Sequence, residues 1–300
     1  MLSKQRMFRT IAFLGDQLLD TLEQKQIYYS HRWRTSTFPY ISGDTFLSIT
    51  GFAALRSSRT IIKRQSLIHP GLRHVMFSEV PLESEVLKDF IDRRKIKVFI
   101  HHNCDHPPSP EIRNLLYRKN VLLKSVNLLD PLPTEECIPL GIENLSYRRN
   151  SPMTEYSVTP PRINKENIFH ISVRPNTNDA ARNDFLDQIN SINLANHQHT
   201  RLDYYDLIRK SYYTLCPPGN GLDTHRFWEA IYKESIPVVL KENYLFGNLR
   251  LPVLVLQHKW TELSSFDSAK LIADYHHLQQ LDCSMAYMPF WISRLLQHLE

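Results

Sequence analysis

Cysteine is scarce in this chain: Cys104, Cys137, Cys216 and Cys283 are the four in 300 residues, and no two form a CxxC pair. That spacing argues against a disulfide framework and against a cysteine-based structural zinc site, and it suits a reducing compartment. No apolar run approaches the ~20 residues of a membrane-spanning helix. Lys4, Arg6 and Arg9 precede an apolar run at 11–14, but Gly15 and Asp16 interrupt it. The run is too short for a signal peptide and reads as a first strand. A long basic block is missing as well. The 36 Lys and Arg against 31 Asp and Glu leave a net charge of +5 that is scattered along the chain. This argues against a nucleic-acid-binding surface and suits an acidic or phosphorylated ligand. There is no internal repeat and no low-complexity segment.

What is there is a globular composition, 42% hydrophobic. The length favours two compact halves, 1–150 and 151–300, each able to bury a core. Strand-prone runs at 8–14, 27–29, 74–80, 97–100 and 121–126 alternate with helical patterns. Those patterns lie at 17–26, from Ser42 through Phe46, Leu47 and Leu55, at 83–93 with Val86, Phe90 and Ile91 inward, and from Ser109-Pro110 onward. A Pro-, Arg- and Asn-rich stretch at 146–165 reads as the connection between halves. A strand at 167–173, a helix at 178–189 and a helix at 203–210 follow, with a further strand at 252–256 and helices to the end. Alternation of this kind predicts mainly parallel sheets with helices on both faces.

The chain is organised around residues 212–240. Residues 212–216 are a short strand, Pro217-Pro218-Gly219-Asn220-Gly221 is a loop, and Asp223 or Thr224 caps a helix with Phe227, Trp228, Ile231 and Tyr232 on its apolar side. Residues 237–240 are a buried strand. Strand, loop, helix, strand is a βαβ unit whose loop sits at a carboxyl strand end, where open α/β sheets bind ligands. The glycines allow close backbone approach, and the helix N-terminus with Arg226 in its first turn favours an anion such as phosphate. Glu229, one turn deeper, suits a ribose diol. The competing interpretation is a tight turn into an ordinary helix, with Arg226 and Glu229 as a surface ion pair.

The run CPPGNGLDTHRFWEAIYKESIPVV (216–239) resembles the C-terminal signature of exostosin-like glycosyltransferases, a PxGNGxDxHRxWEAL string before an IPVV strand. The string CIPLGIEN (137–144) resembles the segment that precedes the second domain in that family. The resemblance implies an α/β protein of GT-B type, two Rossmann-like domains facing each other across a cleft. It also implies an enzyme transferring a sugar from a nucleotide-sugar donor to a hydroxyl of a glycan or lipid-linked glycan. Gly219, Asn220, Gly221, Asp223, His225, Arg226 and Glu229 would hold the nucleotide-diphosphate, Arg226 would act in catalysis, and Arg174 and Arg182 would lie near the phosphates. Many GT-B enzymes carry a loop glutamate where this chain has Gly221, which leaves the contact to the transferred sugar unassigned. Inversion at the sugar carbon is implied by resemblance only. No cofactor or bound metal is expected, the nucleotide sugar being a co-substrate. Family members of the secretory pathway are expected to carry a membrane anchor, so a cytoplasmic enzyme, peripheral at the inner membrane face, is the expectation. The alternative is a non-catalytic nucleotide- or glycan-binding protein of the same fold.

The run His101-His102-Asn103-Cys104-Asp105-His106 follows a strand end and admits a metal site, an acid–base group, or polar caps of a loop. Asp105 is the base candidate, with Asp44 and His102 behind it. Tyr204 and Tyr205 are read as packing residues.

Overall fold

The computed structural model describes residues 36–56, 61–64, 70–144, 163–175, 177–197, 201–247 and 249–299. The expected elements at 8–14, 17–26 and 27–29, and most of the 146–165 connection, lie outside them. The first sheet has six strands: β1 (Phe52–Ala54), β2 (Ile62–Lys63), β3 (Val75–Ser78), β4 (Val98–His101), β5 (Leu122–Ser125) and β6 (Glu135–Cys137), in the order β2-β1-β3-β4-β5-β6. All neighbours are parallel except β1 and β2. The second sheet, β7 (Asn167–His170), β8 (Ser211–Leu215), β9 (Ile236–Leu240) and β10 (Leu254–Leu256), is wholly parallel in the order β10-β9-β8-β7.

The helices follow from capping and apolar spacing. In α1 (Gly43–Ser48), Ser42 accepts from the Thr45 N–H. Leu55, expected on this helix, lies beyond it, because the chain turns at Thr50-Gly51 into β1. A Cβ at Gly51 would lie 2.6 Å from the Arg73 backbone, so glycine is required there. In α2 (Ser84–Arg94) the buried side chains are Leu87 and Ile91, while Val86 is half exposed. Of the expected inward residues, Ile91 is buried and Phe90 packs against the same core, while Val86 is replaced by Leu87, the i, i+4 partner of Ile91. α3 (Pro110–Arg118) starts as expected, with Ser109 as cap and proline in the first turn. The second half adds α4 (Asp179–Ser191), α5 (Arg201–Lys210), α6 (His225–Tyr232) and α7 (Ser268–Leu278).

The last helix, α8 (Met288–Gln297), follows the second sheet in sequence yet buries Met288, Trp291 and Leu295 in the core beneath the first sheet, beside Phe46, Val75 and Ile100. A further apolar cluster joins the halves: Phe227, Trp228 and Ile231 of α6 pack with Ala286, Tyr287, Tyr40 and Leu140. Both sheets present the carboxyl ends of their parallel strands to the space between them. Among the described residues no helix is long and apolar enough to cross a membrane.

Candidate active site

A cleft of about 600 Å³ lies between the two sheets, and the 217–221 loop forms one wall. This loop leaves β8 and turns into α6. Gly219 donates its N–H to the Gly221 carbonyl (3.0 Å), so that amide closes the loop and does not point at a ligand. Asn178 holds the Gly219 carbonyl from α4's N-terminus (2.7 Å). A Cβ at Gly221 would stand 2.3 Å from the Asn127 amide of the first half. Asn127 therefore fills the space a loop glutamate would need, which is a physical reason for glycine at that position.

Asp223 is not a side-chain cap; Thr224 occupies the N-cap position, without a capping side-chain bond. The buried Asp223 carboxylate instead accepts from Trp228 Nε1 (2.9 Å) and from the Leu140 N–H (2.7 Å), while its own N–H donates to Asn127 Oδ1 (2.8 Å). Burial raises its pKa to about 6. His225 Nδ1 lies 2.7 Å from the Gly141 carbonyl. Gly141 has φ +72°, and a Cβ there would overlap the Ile41 carbonyl at 2.0 Å. The Asp223 and His225 side chains thus fasten the helix start to the IPLGIEN segment at the cleft floor.

Two guanidinium groups stand close together in the cleft lining. Arg226 Nη2 donates to the Ser172 carbonyl (2.8 Å), and its Nε has no hydrogen-bond partner among the described residues. Arg182, from α4, donates through Nε to the Pro218 carbonyl (3.2 Å) and through Nη1 to the Arg174 carbonyl (2.8 Å). Burial, and after it the neighbouring Arg226 charge, lowers the Arg182 pKa. The Glu229 charge nearby offsets part of the Arg226 charge, and Arg182, held only by carbonyls, leaves a positive field for an anion to neutralise. The Arg174 side chain is exposed and is not among those lining the cleft.

Glu229 is buried, and Arg226 is not paired with it as a surface salt bridge. Tyr204 OH donates to Glu229 Oε2 (2.8 Å) and Tyr205 OH to Oε1 (3.1 Å). Burial and the Glu229 charge push the Tyr204 pKa well up, so its phenol remains a donor. Both tyrosines pack in one apolar cluster, as expected, and in addition both serve Glu229 and Tyr204 lines the cleft. A carboxylate has about four lone-pair sites, so Glu229 can accept two further hydroxyls.

The opposite wall comes from strand ends of the first sheet. Asp105 is exposed and accepts from Asn220 Nδ2 across the cleft (3.3 Å). Glu79, just past β3, is buried and accepts from the Arg56 N–H (2.8 Å) and Asn103 Nδ2 (3.1 Å). Asn144 donates to Asn103 Oδ1 (2.8 Å). His101 and His102 are buried, with pKa values lowered by burial to about 4. His102 accepts at Nδ1 from the Asn103 N–H (2.7 Å), so Nε2 donates to the Pro139 carbonyl (3.0 Å). Asp44 is buried in α1, away from the cleft lining. Burial pushes the Cys104 thiol up to about 12, so it is no nucleophile. Among the described residues no three His, Cys, Asp or Glu side chains are grouped as a metal ion would need.

Glu79, Arg56, Asn127 and Tyr204 were not anticipated. The signal for the first three was present: each follows the carboxyl end of a parallel strand, where α/β sheets place ligands. Tyr204 sits mid-helix and carried no such signal.

A mainly parallel sheet and a wholly parallel one facing across a cleft, each with helices packed on it, define an arrangement of GT-B type. Residues 149–280, somewhat less than half of the chain, match the family described as Exostosin GT47 domain. The chain is also similar to two Arabidopsis thaliana proteins, Probable glycosyltransferase At3g07620 (43% identical over 44 residues) and Probable glycosyltransferase At5g25310 (46% over 44). Each alignment covers 15% of this chain and only 9% of the relative. The resemblance to exostosin-like glycosyltransferases therefore holds for the second half.

Proposed function

We propose that this protein is a glycosyltransferase that takes a sugar from a nucleotide-diphosphate donor and attaches it to an acceptor hydroxyl in the cleft between the sheets. The observation that carries the proposal is that Arg182 and Arg226, from different helices, stand close together in the cleft lining, held by the Pro218 and Ser172 carbonyls. Bound phosphates would neutralise the positive charge that Glu229 does not already offset, and both guanidiniums are held by carbonyls before the donor arrives. Glu229, steadied by two phenols, would accept the ribose hydroxyls. Negative charge on the diphosphate grows as the glycosidic bond breaks, so Arg226 stabilises the departing group. Asp105 on the opposite wall would take the acceptor's proton, and attack from that side inverts the sugar carbon. The family match and the names of the relatives support a glycosyltransferase, and the acceptor is proposed as a glycan or lipid-linked glycan.

A thermal-shift panel of nucleotide sugars tests the proposal. A cognate donor at one hundred times its Kd should add about 2.7 kcal/mol of stability, and Arg182→Ala should abolish the shift. A shift without hydrolysis or transfer would leave a non-catalytic nucleotide-binding protein, and no shift with any donor would refute the proposal. Catalysis by these residues alone should survive EDTA, and activity lost to EDTA and restored by a divalent ion would refute metal independence.

A further inference from the structure

A second cavity, of about 360 Å³, opens beside the cleft at the carboxyl ends of β3 and β4. Arg56, Glu79, Cys104 and Asp105 line both spaces, so the two are continuous. Polar groups stand at this junction. Beyond it the wall is mostly apolar, built from Val80, Pro81, Leu82, Phe99, Pro108 and Ile112, with His101, His106 and Ser109 as its polar members. The wall is also fixed. Phe99 and Ile112 belong to the first sheet's outer core, with Val80 and Leu82 packed against it. A sugar ring placed there would lose hydration for several hydroxyls and find few partners, at a cost of ~1–3 kcal/mol for each group left unpaired. An apolar group incurs no such loss and gains by leaving water. The volume lies toward the small end of the ~300–1,000 Å³ typical of ligand pockets.

Resting on the glycosyltransferase reading above, we infer that this cavity receives an apolar, non-sugar portion of the acceptor. An alkyl chain or aromatic ring would occupy the space beyond Glu79 and Asp105, and the reacting hydroxyl would remain at the junction beside Asp105. The acceptor class is then a hydroxyl compound with an apolar group close to the reacting oxygen, as opposed to the interior of a purely polar glycan. Leu82 is the residue best placed to decide it, since it lines this cavity and not the cleft.

The experiment titrates the full chain by calorimetry with methyl, butyl, hexyl and phenyl β-D-glucosides, each kept below its aggregation concentration. Hydrolysis of a nucleotide-sugar panel is measured in parallel. Burial of each methylene favours binding by roughly fourfold, so butyl should bind at least tenfold more tightly than methyl. Continued gain at hexyl marks an alkyl-chain site, and a preference for phenyl marks an aromatic one. Leu82→Trp, which fills the space, should erase the dependence on the apolar group. Leu82→Gln, which keeps the volume but not the apolar wall, should weaken hexyl binding several-fold and serves if the tryptophan variant does not fold. Nucleotide-sugar hydrolysis with affinity indifferent to the apolar group, or with tight hexyl binding retained in both variants, overturns the subsite and leaves the transferase reading standing. Length-dependent binding that the variants abolish, with no nucleotide sugar bound or hydrolysed, overturns the transferase reading and the acceptor role with it.

Discussion

Arg226 makes one backbone contact, to Ser172, and keeps a partnerless Nε beside the loop where the donor phosphates are proposed to lie. Lysine cannot reproduce this, because one ammonium cannot hold the Ser172 carbonyl and also present a fork to phosphate. Arg226→Ala should cost about a hundredfold or more in kcat, with a smaller change in donor KM, and Arg226→Lys should remain impaired. Steady-state kinetics decide this, and a near-normal kcat in the alanine variant would make Arg226 a structural side chain. Glu229 is a different case, since both carboxylate oxygens already serve Tyr204 and Tyr205. Glutamine would turn one acceptor into a donor facing a phenolic hydroxyl. Glu229→Gln should therefore lower stability by about 1.5–3 kcal/mol and weaken nucleotide-diphosphate binding by about tenfold. Denaturant unfolding and calorimetric titration of the same sample separate the two effects, and unchanged affinity in a folded variant removes Glu229 from the ribose site.

The β8–loop–α6–β9 unit was legible because its signals are local: a strand run, a Pro-Gly loop, an apolar helix face and a second strand. Its partners were not, because Asn127 and Leu140 reach it across about a hundred residues of sequence, and no periodicity encodes such contacts. The same holds at the end of β4. There the sequence offered a metal site, a base or loop caps; His101 and His102 are buried, and Asp105 alone of the three candidate bases is exposed in the cleft lining. The buried pair has a consequence for acid stability. Each imidazole titrates near 6.5 in the unfolded chain but only near 4 when folded. Between those values the unfolded state binds protons that the native state refuses, so stability falls as pH drops from 6.5 to 4, by at most about 3 kcal/mol per histidine. Asp223 has the opposite sign: its folded pKa is raised to about 6, so its own contribution weakens stability as pH rises from 4 to 6. Two histidines outweigh one aspartate, so urea unfolding at pH 7, 6, 5 and 4.5 should show a net decline. His102→Gln, which keeps a donor for the Pro139 carbonyl, should make that decline shallower, and an identical slope would show that His102 takes up its proton without unfolding.

At the scale of the molecule, the chain crosses back on itself. The terminal helix α8 follows the second sheet in sequence yet buries Trp291 and Leu295 under the first. A polar tie reinforces it: Lys124, fully buried in β5, pairs with Glu136, and Glu136 also accepts from Arg294 of α8. Removing Glu136 would leave a buried ammonium without its counter-charge, so Glu136→Gln should cost about 3–5 kcal/mol. Trp291→Ala should cost a similar ~3–5 kcal/mol through the cavity it opens. Neither change touches the second sheet's own core, which is built from Phe185, Tyr213, Val238, Trp260 and their neighbours. Deleting residues 288–300 should therefore act selectively. Amides of β3, β4 and β5 should lose most of their hydrogen-exchange protection while those of β8 and β9 keep theirs, because local stability follows the core each strand packs against. If β3–β5 stay as protected as in the full chain, α8 is an accessory to a first half that folds without it. If β8 and β9 lose protection in step, the cluster of Phe227, Trp228 and Tyr287 that spans the cleft binds both sheets into one cooperative unit.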